Sequence, residues 1–261
     1  MIGALLTASL ICAAPAGAEA LWDDPQVRFV IVGELHGTVE APAAFAEMAC
    51  DASADQPLVV ALELSDQMQP SLDQWMSSDG GTAAKRAFLD QPFWKEAVTK
   101  GDGRSSEAML AMLERLRDLK AGGRDIVVVA TQPSARRPVG FDQSYSEVYM
   151  AQAWIQAAYN RPDARLLILV GNMHAMKDRM TPDDYLFAAG HIDRRFVRSL
   201  RVAQQGGATW GLSSEGHFGI STQSATYPAL MRGVVLEPVR GGLWDGWLAL
   251  GPATPSPPVK P

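Results

Sequence analysis

Four short apolar runs divide the first two thirds of the chain: VRFVIV at 27–32, LVVAL at 58–62, IVVVA at 126–130 and RLLILV at 165–170. Each is too short for a buried helix and rich in β-branched residues, the pattern of strands covered on both faces. Between them lie segments of helical character. Residues 41–50 (APAAFAEMAC) favour helix with Pro42 in the first turn, and 70–76 suggest a second helix closed by the turn at 77–81. In 105–120, Met109, Met112, Leu113, Leu116 and Leu119 recur at helical spacing, with Ser105 or Ser106 as cap and Gly122 and Gly123 as terminator. Residues 146–159 (SEVYMAQAWIQAAY) give a fourth helix before the fourth strand. This alternation predicts right-handed crossovers and a three-layer α/β/α fold with a central, mainly parallel sheet. Beyond residue 174 the pattern weakens. The segments 195–202, 209–212 and 233–236, set among glycines, read as less regular edge strands or a lid.

The residues just past each apolar run change the picture from fold to function. The first run leads into Gly33-Glu34-Leu35-His36-Gly37, the second into Glu63, the third into Thr131-Gln132 and the fourth into Gly171-Asn172-Met173-His174. In an open α/β sheet, ligands and chemistry collect beyond the carboxyl ends of the parallel strands. Four strands in one parallel sheet therefore bring Glu34, His36, Glu63, Gln132, Asn172 and His174 to a single crevice. Glu34 and His36 can serve as base and orienter or as metal ligands, and a carboxylate at the end of a buried strand, Glu63, needs a cation, a donor or a metal. Asp102 and Arg104, before the third helix, read either as substrate-binding groups in the cleft or as a cap with a surface ion pair. Trp75, Phe93 and Trp94 are candidates for a pocket wall or for core.

With 261 residues and 47% hydrophobic content the chain can build one sizeable core, expected over 21–250. Residues 1–20 combine an apolar run with small-residue patterns at 16–18 and 18–20, as in a cleaved secretory leader, so the mature protein is expected to be periplasmic or secreted. No later run is long enough for a transmembrane helix. Cys12 then falls in the leader, leaving Cys50 as a lone, packed small hydrophobe. The proline-rich end, 251–261, is expected to be disordered or extended. The balance of 23 basic and 29 acidic residues, without a basic block, excludes a phosphate-backbone binder. The partner is expected to be a small molecule or peptide, not nucleic acid. No Gly-x-Ser-x-Gly elbow, His-Glu-x-x-His, cysteine pair for zinc, phosphate loop or dinucleotide fingerprint occurs.

The two histidine loops and the intervening acid resemble the superfamily that joins erythromycin esterases, ChaN-like haem-binding proteins and the Tiki/TraB group. Its marks are a Gly-Glu-x-His loop after the first strand (Gly33-Glu34-Leu35-His36), an acid ending the second (Glu63) and a Gly-Asn-x-His loop after a later one (Gly171-Asn172-Met173-His174). The resemblance covers about residues 27 to 180. It implies a catalytic site of His36, Glu34, Glu63 and His174, either hydrolysing an ester with histidine-activated water or holding a divalent metal on those four residues for peptide cleavage; ChaN-like members bind haem instead. Two departures stand out. Where members carry an arginine in an Arg-Asp-x-x-Met-Ala pattern, this chain has Ser146-Glu147-Val148-Tyr149-Met150-Ala151, so Arg104, Arg136 or a metal must supply the missing cation. The His-x-x-Gln element of ChaN-like proteins is replaced by residues 38–42, and no tyrosine maps onto the haem ligand, which weakens the haem role.

Overall fold

Every one of the four apolar runs forms a strand, and the four lie side by side in one sheet. The computed structural model describes residues 11–135, 137–212 and 216–260. Arg136, residues 213–215 and the first half of the expected leader lie outside the described residues. The chain runs β1 (Phe29–Glu34), α1 (Glu40–Ala52), β2 (Leu58–Ser65), α2 (Gln69–Met76), α3 (Thr82–Leu89), α4 (Pro92–Lys95), α5 (Ala97–Lys100), α6 (Glu107–Ala121), β3 (Ile126–Gln132), α7 (Ser144–Asn160) and β4 (Arg165–Gly171). Then come β5 (Val197–Val202), β6 (Ala208–Leu212), β7 (Phe218–Thr222), β8 (Gly233–Val235) and β9 (Gly246–Ala249).

The seven-stranded sheet has the order β3-β2-β4-β1-β5-β9-β8, parallel throughout except for the antiparallel β8–β9 edge, and β6 and β7 form a separate hairpin. Alternate residues of β1 serve opposite faces. Val30 and Val32 pack with the apolar sides of α1, α2 and α6, whereas Phe29 and Ile31 pack with Met150 and Trp154 of α7. This two-sided burial is the three-layer architecture the apolar runs predict. Trp75, Phe88 and Trp94 stack within the first of these cores, so two of the pocket-wall candidates are packing residues. Ser106 caps α6, its hydroxyl accepting from the Met109 amide at 3.4 Å.

The C-terminal third departs most from expectation. The 195–202 segment is no edge strand: β5 lies between β1 and β9, with Phe29 opposite Val197 and Gly33 opposite Arg201. Its polar residues hid this, because Ser199 is satisfied by the Ala175 carbonyl and the Asp245 carboxylate rather than by water. The proline-rich end is ordered as well. It crosses the first histidine loop and the start of α6, with backbone bonds from Val39 to Thr254, Ser256 to Gly37, Glu107 to Pro257 and Val259 to Ser105. Proline lacks one donor but keeps its carbonyl, so an extended strap can still be bonded along one edge.

Cys50 is likewise not a lone hydrophobe, for it is disulfide-bonded to Cys12 across 38 residues. Residues 11–22 lie on the fold, with the Ala13 amide on Glu47, the Val234 amide on the Ala16 carbonyl, and Ala18 and Leu21 buried. Closing a loop of this length contributes about 3 to 4 kcal/mol. A reductant should therefore lower the melting temperature by roughly 10 °C, and a Cys12→Ala/Cys50→Ala variant should melt at that lower value with or without reductant.

Candidate functional site

Strand ends build the site. β1 delivers Glu34 as its last residue, and the turn after it brings His36 back so that its Nδ1 lies 3.0 Å from Glu34 Oε1. The turn is held close by glycines. At Gly37 (φ +76°) a Cβ would fall 1.7 Å from the Trp210 carbonyl oxygen, and at Gly103 (φ +101°) one would fall 2.4 Å from the Gly37 nitrogen. Only glycine allows hairpin β6–β7 and the loop before α6 to approach the histidine loop this closely.

Glu63 lies inside β2, at the irregularity where the β2–β3 register shifts between Leu62 and Ser65, and it is 6% exposed. Its Oε2 accepts the Gly171 amide at 2.7 Å and its Oε1 accepts Arg104 Nη1 at 2.9 Å. Arg104 is the cation missing from the helix before β4. The same guanidinium reaches Gln132 Oε1 at 2.5 Å and both carboxylate oxygens of Asp102. Asp102, Arg104 and Gln132 thus belong to the site rather than to a surface cap.

His174 is fixed by a residue that no motif marks. Glu147 of α7, fully buried, places both carboxylate oxygens 2.9 Å from His174 Nδ1 and accepts the Ala188 amide at 3.0 Å. A signal was present: Glu147 shares its helical face with Met150, Ala151 and Trp154, and an acid on that apolar stripe requires a buried partner. Asn172 enters through its backbone. Its amide bonds the Glu34 carbonyl, while its Oδ1 is buried beside Gly33 without a partner, so a substrate-binding side chain is not what it supplies. His191 bonds the Leu186 carbonyl, and both it and His217 are exposed.

The result is two carboxylate-backed imidazoles turned toward one central carboxylate. His36 Nε2 lies 3.5 Å from Glu63 Oε2, and His174 Nε2 lies 3.5 Å from Glu63 Oε1. Gly171 keeps the gap beside the rings clear, since a Cβ there would crowd His36 Nε2 at 3.2 Å and touch Glu63 Oε2 and His174 Cδ2 at 3.5 Å. Burial opposes charging of both rings, but the Glu63 charge and the Glu34 bond outweigh it at His36, raising it to about 10. At His174 the bonds to Glu147 and Glu63 outweigh burial in the same way and raise it to about 9. Burial pushes Glu34 up, while Glu63 is held well below the usual carboxylate range, its burial outweighed by His36, His174 and Arg104.

The four residues expected to hold a metal do meet. Carboxylates hold both Nδ1 atoms, which leaves the two Nε2 atoms facing Glu63, and the Arg104 guanidinium also lies on Glu63. Among the described residues no group of three or more His, Cys, Asp or Glu is disposed to hold a metal ion.

Protonated imidazoles have a consequence for stability. Unfolded histidine titrates near 6.5 and these two near 9 and 10, so the folded protein binds more protons across that interval. Their contribution is full below about pH 6.5 and is lost as pH rises through the folded values. Melting temperature should fall from pH 7 to 10, and less steeply in a His36→Asn/His174→Asn variant; equal slopes would refute the assignment.

No family model and no curated protein sequence matches the chain. Solved structures do. An erythromycin esterase, EreC, crystallised as a His-to-Asn variant in its open conformation, has TM-score 0.66 at 12% identity, covering 91% of this chain and 94% of that one. A succinoglycan biosynthesis protein gives 0.63 at 11% identity over 89% of each chain, and a Bacillus cereus protein gives 0.57 at 11% identity over 90% and 91%. Among the described residues no helix is long and apolar enough to cross a membrane. The chain has the α/β fold of erythromycin esterase, over nearly its whole length.

Proposed function

We propose that this protein is a hydrolase that cleaves an ester with a histidine-activated water. The observation that carries the reading is the pair of imidazoles, each fixed at Nδ1 by a carboxylate and turned through Nε2 toward Glu63, with the side-chain-free Gly171 beside both rings. The shared fold supports it. His36, its Nδ1–H oriented by Glu34, takes a proton from water as the water oxygen bonds to the ester carbonyl carbon. The imidazolium of His174 and the guanidinium of Arg104 face the oxyanion that forms. Collapse of that intermediate breaks the C–O bond, and the proton held on His36 passes to the leaving alkoxide. Glu63 keeps both rings turned toward the gap.

The raised values set the pH dependence. At neutral pH both rings are protonated, so one proton must leave before water can be activated, and because both rings face Glu63 the titration belongs to the pair. kcat/KM should rise about tenfold per pH unit from 6 to near 9 and level off or fall above 10.

The decisive experiment sets wild type against His36→Asn on ester and peptide panels, with a chelator or with added Mn²⁺ or Ca²⁺, alongside a haem titration. Ester turnover that survives chelation and drops by about 10² to 10⁴ in the variant is expected. Identical background rates throughout, activity only with added metal, or a shifted Soret band without turnover would overturn it.

Export enters the same proposal, from the leader-like first residues and the disulfide, which fits an oxidising compartment.

A further inference from the structure

Arg201, at the carboxyl end of β5, is the cation that the site does not use. Its guanidinium lies 5.0 Å from the Trp244 ring centroid and 5.6 Å from that of Trp247, whose strand register places it directly opposite. Tyr227 packs on Trp247 at 4.7 Å and extends the aromatic wall. Arg201 Nε is buried without a partner, and the hydrogen bond of its side chain is a long one of 3.4 Å from Nη2 to Gln204.

The charge beside it is another arginine. Burial and the Arg240 charge both push Arg201 below the usual arginine range, and no carboxylate offsets them. Beyond His174 the ion pairs join Lys177 to Asp245, Arg194 to Asp178 and Arg195 to Asp193, leaving Arg201 and Arg240 without a carboxylate among the described residues. In a chain of net charge −6 this is conspicuous, because acidic residues are the more numerous. Arg240 is exposed and is the one positive-φ residue other than glycine among the described residues (φ +46°), ahead of Gly241 and Gly242 at +70° and +94°.

We propose that Arg201 and Arg240, walled by Trp244 and Trp247, bind the oxyanion of a small molecule, a carboxylate or a phosphate. An anion there would take the unmet donors of Arg201 and relieve the repulsion between the two guanidinium groups. The aromatic walls keep the cation partly dry, which strengthens its hold on an anion. The place also adjoins the loop that carries His174, where the Trp244 indole donates to the Asn172 carbonyl at 3.2 Å. The anion site does not depend on the hydrolase reading.

Inorganic phosphate and benzoate should each be titrated into wild type, Arg201→Met and Arg240→Met by calorimetry and tryptophan fluorescence, at constant ionic strength in chloride. Saturable binding of at least one probe is expected, weakened about tenfold or more by Arg201→Met and measurably by Arg240→Met, with the preferred probe separating phosphate from carboxylate. Arg240 is exposed, so its variant tests the site even if Arg201→Met misfolds. Linear responses to both probes in wild type, or unchanged affinity in a folded variant, would overturn the proposal.

Discussion

Gly171→Val should abolish hydrolysis while leaving the fold in place. The backbone of β4 at this residue is ordinary strand, its amide bonded to Glu63 Oε2 and its position paired with Glu34, so a β-branched residue is compatible with the local conformation. What it is not compatible with is the gap. A single Cβ meets His36 Nε2 at 3.2 Å, Glu63 Oε2 at 3.5 Å and His174 Cδ2 at 3.5 Å. Alanine therefore crowds the two rings and needs a shift of a few tenths of an ångström, whereas valine adds two further methyls beside the histidines that a water and an ester must reach. Displacing reacting groups by about 1 Å costs on the order of 10²-fold. The expected order is wild type, then Gly171→Ala with a measurable loss, then Gly171→Val at background, all three with similar melting temperatures. A valine variant with wild-type kcat would show that the reaction happens elsewhere.

The sheet and its doubly covered strands were legible because apolar runs of this length and composition have few other uses, and the polar residues just beyond them identified four members of the site directly. Arg104 and Gln132 were also in view, although only the folded chain decides between a cleft arginine and a capped surface pair. Glu147 was hidden by position rather than chemistry. It sits inside a helix, 27 residues before the histidine it orients, and its one mark in sequence is an acid on the apolar stripe of Met150, Ala151 and Trp154, which does not say which partner it meets. The C-terminal half resisted for a different reason: β5 carries Arg198, Ser199 and Arg201 yet lies inside the sheet, with Ser199 met by tertiary partners that periodicity does not reveal. The strap at 251–260 looked disordered because proline content reports on secondary structure, while this segment is held by bonds to loops distant in sequence. Cys12 was assigned to a leader by composition, and composition says nothing of the disulfide that ties it to α1.

Arg104→Met should be the most destabilising single change in the site. The guanidinium serves Glu63, Gln132 and Asp102 together, and Glu63 is almost fully buried. Removing the cation leaves a buried carboxylate whose remaining partners are the Gly171 amide and two imidazolium rings at 3.5 Å. Breaking a buried pair on one side costs about 3 to 5 kcal/mol, and here Glu63 loses its nearest counterion while the two more distant imidazolium rings offset only part of the loss. Lysine would keep the charge but not the fork that bonds three side chains at once, so Arg104→Lys should recover only part of the loss. The double variant Arg104→Met/Glu63→Gln separates structure from chemistry. With the carboxylate neutralised, the penalty of the lone charge disappears and denaturant unfolding should return most of the lost stability, yet turnover should stay at background because the oxyanion has lost its guanidinium and both imidazoles have lost the charge that holds them toward the gap. A double variant as unstable as Arg104→Met would place the arginine's contribution in packing rather than in the charge it shares with Glu63.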